Sequence, residues 1–295
     1  MVRDLVKRRL AGGAAIKIKD GFLGGVFNSH RVLSEKAAEQ ARKGGKRRPD
    51  ASFARKADDL LAFVEQAYER DPALSPDSTS YNMVVDAYAK VGDPEGAEAV
   101  LLRLEKLWRS GNEKVKPDAI LYGAVINAWA RSGRKEAPKR AEAILQHMEQ
   151  LNQQGHEDIR PDTISYNAVI NAWAKSREKG AAQRAEAILN HMLKLSEGGR
   201  EGCCPNTRSF ATVIDAWARS GDRRAYDNAM RVFQQMQNMK SRGHSEVEPT
   251  TPFYNSLMNA LAVSDIPDKA PQAYKMLLEL ENRANSGKVD NLAPT

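Results

Sequence analysis

Asn167, Asn171 and Lys175 stand four residues apart. On an α-helix that spacing places three side chains on one face, one above the other. An amide side chain donates and accepts hydrogen bonds, and an ammonium group attracts anions. The arrangement recurs along the chain as Asn82-Asp86-Lys90, Gly123-Asn127-Arg131, Ala211-Asp215-Arg219 and Asn255-Asn259-Val263. The lowest position varies between Asn and small residues, the middle is always Asn or Asp, and the top is basic in four of five copies. A merely solvated face scatters its charges, so this ordered stripe is the candidate binding surface.

Residues that could carry catalysis show no such order. The histidines are His30, His147, His156, His191 and His244. His147 and His191 hold one position in successive copies and belong to the architecture. No His, Cys, Asp or Glu cluster has metal-ligand spacing. The segment GDPEG at 92–96 is a turn, and no phosphate-binding glycine loop follows a strand. No catalytic residue, metal or cofactor is expected, and the chain does not read as an enzyme. Cys203 and Cys204 are adjacent and read as two loop thiols of a protein from a reducing compartment.

The elements that must carry the stripes are written into the sequence five times. YNAVINAWAKS at 166–176 is echoed by YNMVVDAYAKV at 81–91, YGAVINAWARS at 122–132, FATVIDAWARS at 210–220 and YNSLMNALAVS at 254–264. A proline precedes each copy, at Pro76, Pro117, Pro161, Pro205 and Pro249, with spacings of 41, 44, 44 and 44 residues. Such a period marks a repeat architecture. Tyr166, Val169, Ile170 and Trp173 fall at i, i+3, i+4 and i+7, the packing face of a helix. That spacing assigns Trp129, Trp173 and Trp217 to the core rather than to base stacking. A basic-Ser-Gly stop follows in two copies, and a second helix begins near Pro94, Pro138 or Pro271. One helix pair cannot bury its apolar face alone; stacking on its neighbours does so. The reading is therefore all-α, an α-solenoid of stacked antiparallel helix pairs.

The expected organisation is a basic, mostly disordered arm at 1–50, one remnant helix within 51–75, and five repeats at 76–116, 117–160, 161–204, 205–248 and 249–295. The net charge of +7 is uneven. Residues 1–50 hold thirteen Lys/Arg against five Asp/Glu, which leaves 32 against 33 in the rest. An inference of nucleic-acid binding from charge alone therefore attaches to the arm. No apolar run approaches the ~20 residues of a membrane helix, and no membrane partner is expected.

The unit Pro-Asp-x-x-x-Tyr-Asn-x-x-Ile-x-Ala, with its basic residue, glycine turn and a second helix ending near Met, resembles the pentatricopeptide repeat (PPR). The Leu-Gly signature of the tetratricopeptide repeat is missing. The resemblance covers about residues 76–295, with repeats longer than the family's usual unit. It implies a right-handed superhelix that binds single-stranded RNA, in a mitochondrion or plastid, for RNA processing, stability or translation. It implies base-reading pairs Asn82 with Asp118, Gly123 with Asp162, Asn167 with Asn206, and Ala211 with Thr250, and it would pair Asn255 with Thr295. Bases would be sandwiched by Thr79, Ile120, Ile164, Arg208 and Pro252, and phosphates met by Lys90, Arg131, Lys175 and Arg219. In the family Asn/Asp resembles a uracil reader and Asn/Asn a cytosine reader, which implies a pyrimidine-containing target of the form U-x-C-x. The alternative is a helical-repeat scaffold for protein partners, favoured by the neutral repeat body and by the Gly123 and Ala211 pairs.

Overall fold

The computed structural model describes residues 4, 6–7, 22–43, 51–71, 74–176, 178–244 and 247–285. Among them the regular elements are all helical. They are α1 (Phe22–Lys43), α2 (Ser52–Tyr68), α3 (Ser78–Val91), α4 (Pro94–Arg109), α5 (Ala119–Ser132), α6 (Ala137–Gln153), α7 (Thr163–Lys175), α8 (Ala181–Glu197), α9 (Thr207–Arg219), α10 (Ala225–Ser241), α11 (Thr251–Val263) and α12 (Ala270–Asn285). The chain divides into two compact units, Met1–Pro161 and Asp162–Thr295. Within the first, α3 packs on α4 and α5 on α6, while α1, α3 and α5 also contact one another in succession. Within the second, α7, α9 and α11 form the corresponding row, backed by α8, α10 and α12. Each unit is thus a stack of helix pairs, the all-α solenoid arrangement expected.

The punctuation explains the boundaries. Asp77, Asp118, Asp162 and Asn206 have extended backbones and accept from a backbone N–H of the first turn of α3, α5, α7 and α9. An amide donor otherwise left without an intrahelical acceptor is thereby satisfied, worth about 1 kcal/mol per cap. Gly92 and Gly133 end α3 and α5 in the left-handed region, φ 74° and 65°, where a Cβ would be strained. Pro94 and Pro138 stand in the first turn of α4 and α6.

The packing face lies where the spacing places it. Tyr81, Val84, Val85 and Tyr88 of α3 are buried, as are Tyr122, Val125, Ile126 and Trp129 of α5. Tyr166, Val169, Ile170 and Trp173 of α7 and Phe210, Val213, Ile214 and Trp217 of α9 repeat this. Each buried Val, Ile or Phe contributes about 1.5–3 kcal/mol, so the face that recurs is the face that holds the stack.

Two features differ from the sequence reading. Residues 22–43, inside the arm expected to be mostly disordered, form α1, which packs against α2 and α3. Its buried residues include Ser34 and Ala38, four apart; a seam of small side chains allows close approach but leaves no large apolar period to detect. The links between repeats are also more than charged tethers. Two contain a 3-10 turn, Glu113–Val115 and Glu157–Ile159, and Val115 and Ile159 are wholly buried. Leu74, Val115, Ile159, Cys203 and Val247 each stand two residues before a repeat's proline, and all five are buried. Cys203 thus serves as one of these apolar plugs, consistent with the ordinary behaviour of a buried thiol.

Candidate functional site

Each first helix presents its stripe from a capped N-terminus, so the second residue of each expected reading pair is a helix cap. Asp118 accepts from the Leu121 N–H at 2.8 Å. Asp162 accepts from the Ser165 N–H at 2.8 Å and its hydroxyl at 2.7 Å. Asn206 accepts from the Ser209 N–H and hydroxyl, both at 3.2 Å. Thr250 caps α11 without a side-chain bond and is exposed. Capping fixes each of the first three side chains in one rotamer, with polar atoms to spare.

The pair Asn167 and Asn206 is brought together: Asn167 Nδ2 donates to Asn206 Oδ1 at 3.3 Å, from α7 to the cap of α9. Oδ1 of Asn167 and of Asn82 are each buried and have no hydrogen-bond partner among the described residues. No hydrogen bond joins Asn82 to Asp118 among those residues. Gly123 and Ala211, half-buried, bring no polar side chain, and Asn255 is exposed. Thr295 lies outside the described residues. Of the sandwich positions, Ile120 is 74% and Ile164 65% exposed. Single exposed apolar residues are ordinary, but these two hold the same place in successive repeats, beside the reading position. Thr79, Arg208 and Pro252 are exposed as well.

Lys90, Arg131, Lys175 and Arg219 all lie in the last turn of their helices, where the negative end of the helix dipole favours a cation. They are not equally available. Lys90 Nζ lies 3.4 Å from Glu35 of α1, and Arg31 of α1 lies 3.3 Å from Asp86, so the N-terminal helix engages the first stripe. Arg219 pairs with Asp215 on its own helix. Arg131 and Lys175 are exposed, with no ion pair among the described residues.

Trp129, Trp173 and Trp217 are buried, as the helix spacing requires, and two of them have carboxylate partners that sequence reasoning missed. The indoles of Trp129 and Trp217 donate to Glu98 and Glu186, each at 2.8 Å, across one helix pair to the next. Tyr88, in the equivalent place, donates to Asp58 at 2.8 Å. Arg231 closes a fork on Glu186, with bonds of 2.7 and 3.0 Å. Tyr81 donates to Glu65 at 2.7 Å; Tyr122 donates to Glu105, which also lies 3.1 Å from His147 Nε2. Burial pushes the phenols of Tyr81, Tyr88 and Tyr122 well above the usual range, and the adjoining carboxylates add to it. Burial raises the Glu65 carboxyl too, against the opposing charge of Arg103. A signal was available: an acid stands 31 residues before Trp129 and Trp217. Where that acid is replaced by Met230, the tryptophan position holds Leu261.

A groove of about 870 Å³ lies between α8 and α10, lined by Asn190, Arg231, Gln235 and Arg242 among others, and includes none of the stripe residues. Among the described residues no group of three or more His, Cys, Asp or Glu could hold a metal ion, and no helix is long and apolar enough to cross a membrane.

Stacked helix pairs with one polar stripe on each first helix define a helical-repeat protein. The family model for the PPR repeat matches residues 79–107, and that for the pentatricopeptide repeat domain matches residues 110–175. Over these two stretches the chain carries pentatricopeptide repeats. A solved structure similar to it is that of the pentatricopeptide repeat protein PPR10 from maize, at 17% identity and a TM-score of 0.40 over 98% of this chain; the chain spans 39% of the maize protein. No curated protein matches it.

Proposed function

We propose that this chain binds single-stranded RNA without catalysing a reaction on it, one base per helix pair, and acts in organellar RNA processing, stability or translation. The carrying observation is the Asn167–Asn206 pair. Two amides meet across adjacent first helices, exposed Ile164 stands three residues from one of them, and exposed Lys175, with no ion pair among the described residues, lies two turns further up the same helix. Amides offer both donors and acceptors to a base edge, an aliphatic side chain packs on a base face, and an ammonium group meets phosphate. In this reading Asn82 with Asp118 selects uracil and Asn167 with Asn206 selects cytosine, in a mitochondrion or plastid.

The test is binding of randomised single-stranded RNA to the full chain across a salt series. Arg131 and Lys175 alone predict a log K against log salt slope of about −1.4, and all four cations a slope of about −2.8. An enriched pyrimidine pair separated by one intervening base supports the reading; absence of RNA binding overturns it. One observation favours a protein partner instead. Helix α1 lies on the first stripe through Arg31 with Asp86 and Glu35 with Lys90, so a helix of complementary charge can occupy such a surface. Capture of a protein that survives nuclease treatment, with no RNA bound, would establish that alternative.

A further inference from the structure

Three of the four links that end in an expected second reading residue are gripped at one recurring place. Ser78, Thr163 and Thr207 are the first residues of α3, α7 and α9. Ser78 Oγ donates to the carbonyl of Lys116 at 2.9 Å. Thr163 Oγ1 donates to the carbonyl of Cys204 at 2.8 Å, and its backbone N–H donates to Gly202 at 2.9 Å. Thr207 Oγ1 accepts from the Glu248 N–H at 3.1 Å, the opposite sense, which a hydroxyl allows. Lys116, Cys204 and Glu248 each stand two residues before the next helix cap, Asp118, Asn206 and Thr250. The residue just before each of them, Val115, Cys203 and Val247, is one of the buried plugs. Each of these three links is therefore held on the inside by an apolar side chain and on the outside by a hydroxyl of the preceding first helix.

We propose that Ser78, Thr163 and Thr207 are positioning residues of the RNA site, whose hydroxyls set the second reading residue of each pair against the first. This rests on the RNA reading above. The hydroxyl sits four residues before the first reading residue on the same helix: Ser78 before Asn82, Thr163 before Asn167, Thr207 before Ala211. Helix geometry places residues four apart on one face, so one short rigid segment carries the first reader and grips the link that carries the second. Base selection requires donors and acceptors held to within about 0.5 Å, which a tether free to shift does not provide. In α5 the place is taken by Ala119, which has no hydroxyl; its repeat is also the one with glycine at the first reading position.

The test compares the full chain with Thr163→Val, Thr163→Ser and Ser78→Ala, each checked for folding by circular dichroism, in selection from randomised single-stranded RNA. Thr163→Val should lower discrimination at the one base read by Asn167 and Asn206 by about two- to tenfold, the range of one lost hydrogen bond. Discrimination elsewhere should stand, and Thr163→Ser should restore it. Ser78→Ala should do the same at the base read by Asn82 and Asp118, and carries the test should Thr163→Val fail to fold. Equal discrimination in the folded valine or alanine variant and the parent overturns the positioning role while leaving the RNA reading intact. A parent chain that binds no RNA overturns both.

Discussion

Removing the carboxylate of Glu186 tests how neighbouring repeats are held in register. Its side chain is 6% exposed and accepts from the Trp217 indole at 2.8 Å and from Arg231, itself 56% exposed. Glu186→Met leaves the buried indole N–H without an acceptor, at about 1–3 kcal/mol. Arg231 returns largely to water, and its exposed ion pair adds under about 1 kcal/mol. Trp217→Phe removes the donor and part of the ring, at about 1–2 kcal/mol. The double variant has neither donor nor acceptor, so the two single losses should exceed the double loss by about 1–2 kcal/mol. The chain itself uses such an apolar match where Met230 and Leu261 take these positions. The assay is urea unfolding by far-UV circular dichroism, with hydrogen exchange in α9 as the local readout, because repeat arrays need not unfold in one step. Single losses that add to the double loss within about 0.5 kcal/mol would refute the reasoning.

Ile159→Ala should cost about 2–5 kcal/mol by removing a fully buried plug, read as a lower urea midpoint; a shift no larger than that of a surface substitution counts against the plug role. The raised carboxyl of Glu65 gives a pH dependence of known sign. The folded state holds its proton more tightly than the unfolded state, so stability from this group falls as pH rises from the ordinary carboxylate range through the raised folded value. Glu65→Gln should flatten the change in melting temperature over that window. Lys175→Gln and Arg131→Gln should each reduce the salt slope of RNA binding by about 0.7, and Lys90→Gln by less, since Glu35 already holds that cation.

Most of the fold was legible because it is carried by large apolar residues at helical spacing. Tyr166, Val169, Ile170 and Trp173 announce their face, and prolines and glycines announce the ends. Helix α1 was not legible: its seam includes Ser34 and Ala38, which give no hydrophobic period. The plugs escaped notice because one apolar residue in a charged link has no periodicity of its own; the signal lies between repeats, two residues before each proline. At the candidate site, the stripe and the Asn167–Asn206 pairing were readable from spacing and family pattern. That Lys90 is held by Glu35 was not, because Glu35 comes from a distant segment, whereas the Asp215–Arg219 pair stands at the i, i+4 spacing of one helix face.

The double duty of Asn206 has a consequence for change over time. On the proposed RNA reading the second reader of each pair would also start a helix: Asp118, Asp162 and Asn206 cap through their side chains, and Thr250 holds the same place without a side-chain bond. Swaps among Asp, Asn, Ser and Thr alter the hydrogen-bonding face shown to a ligand but leave helix initiation nearly untouched. On that reading the recognition alphabet would be confined to letters that folding already accepts, and a new target would be reachable by single substitutions without a passage through unfolded intermediates.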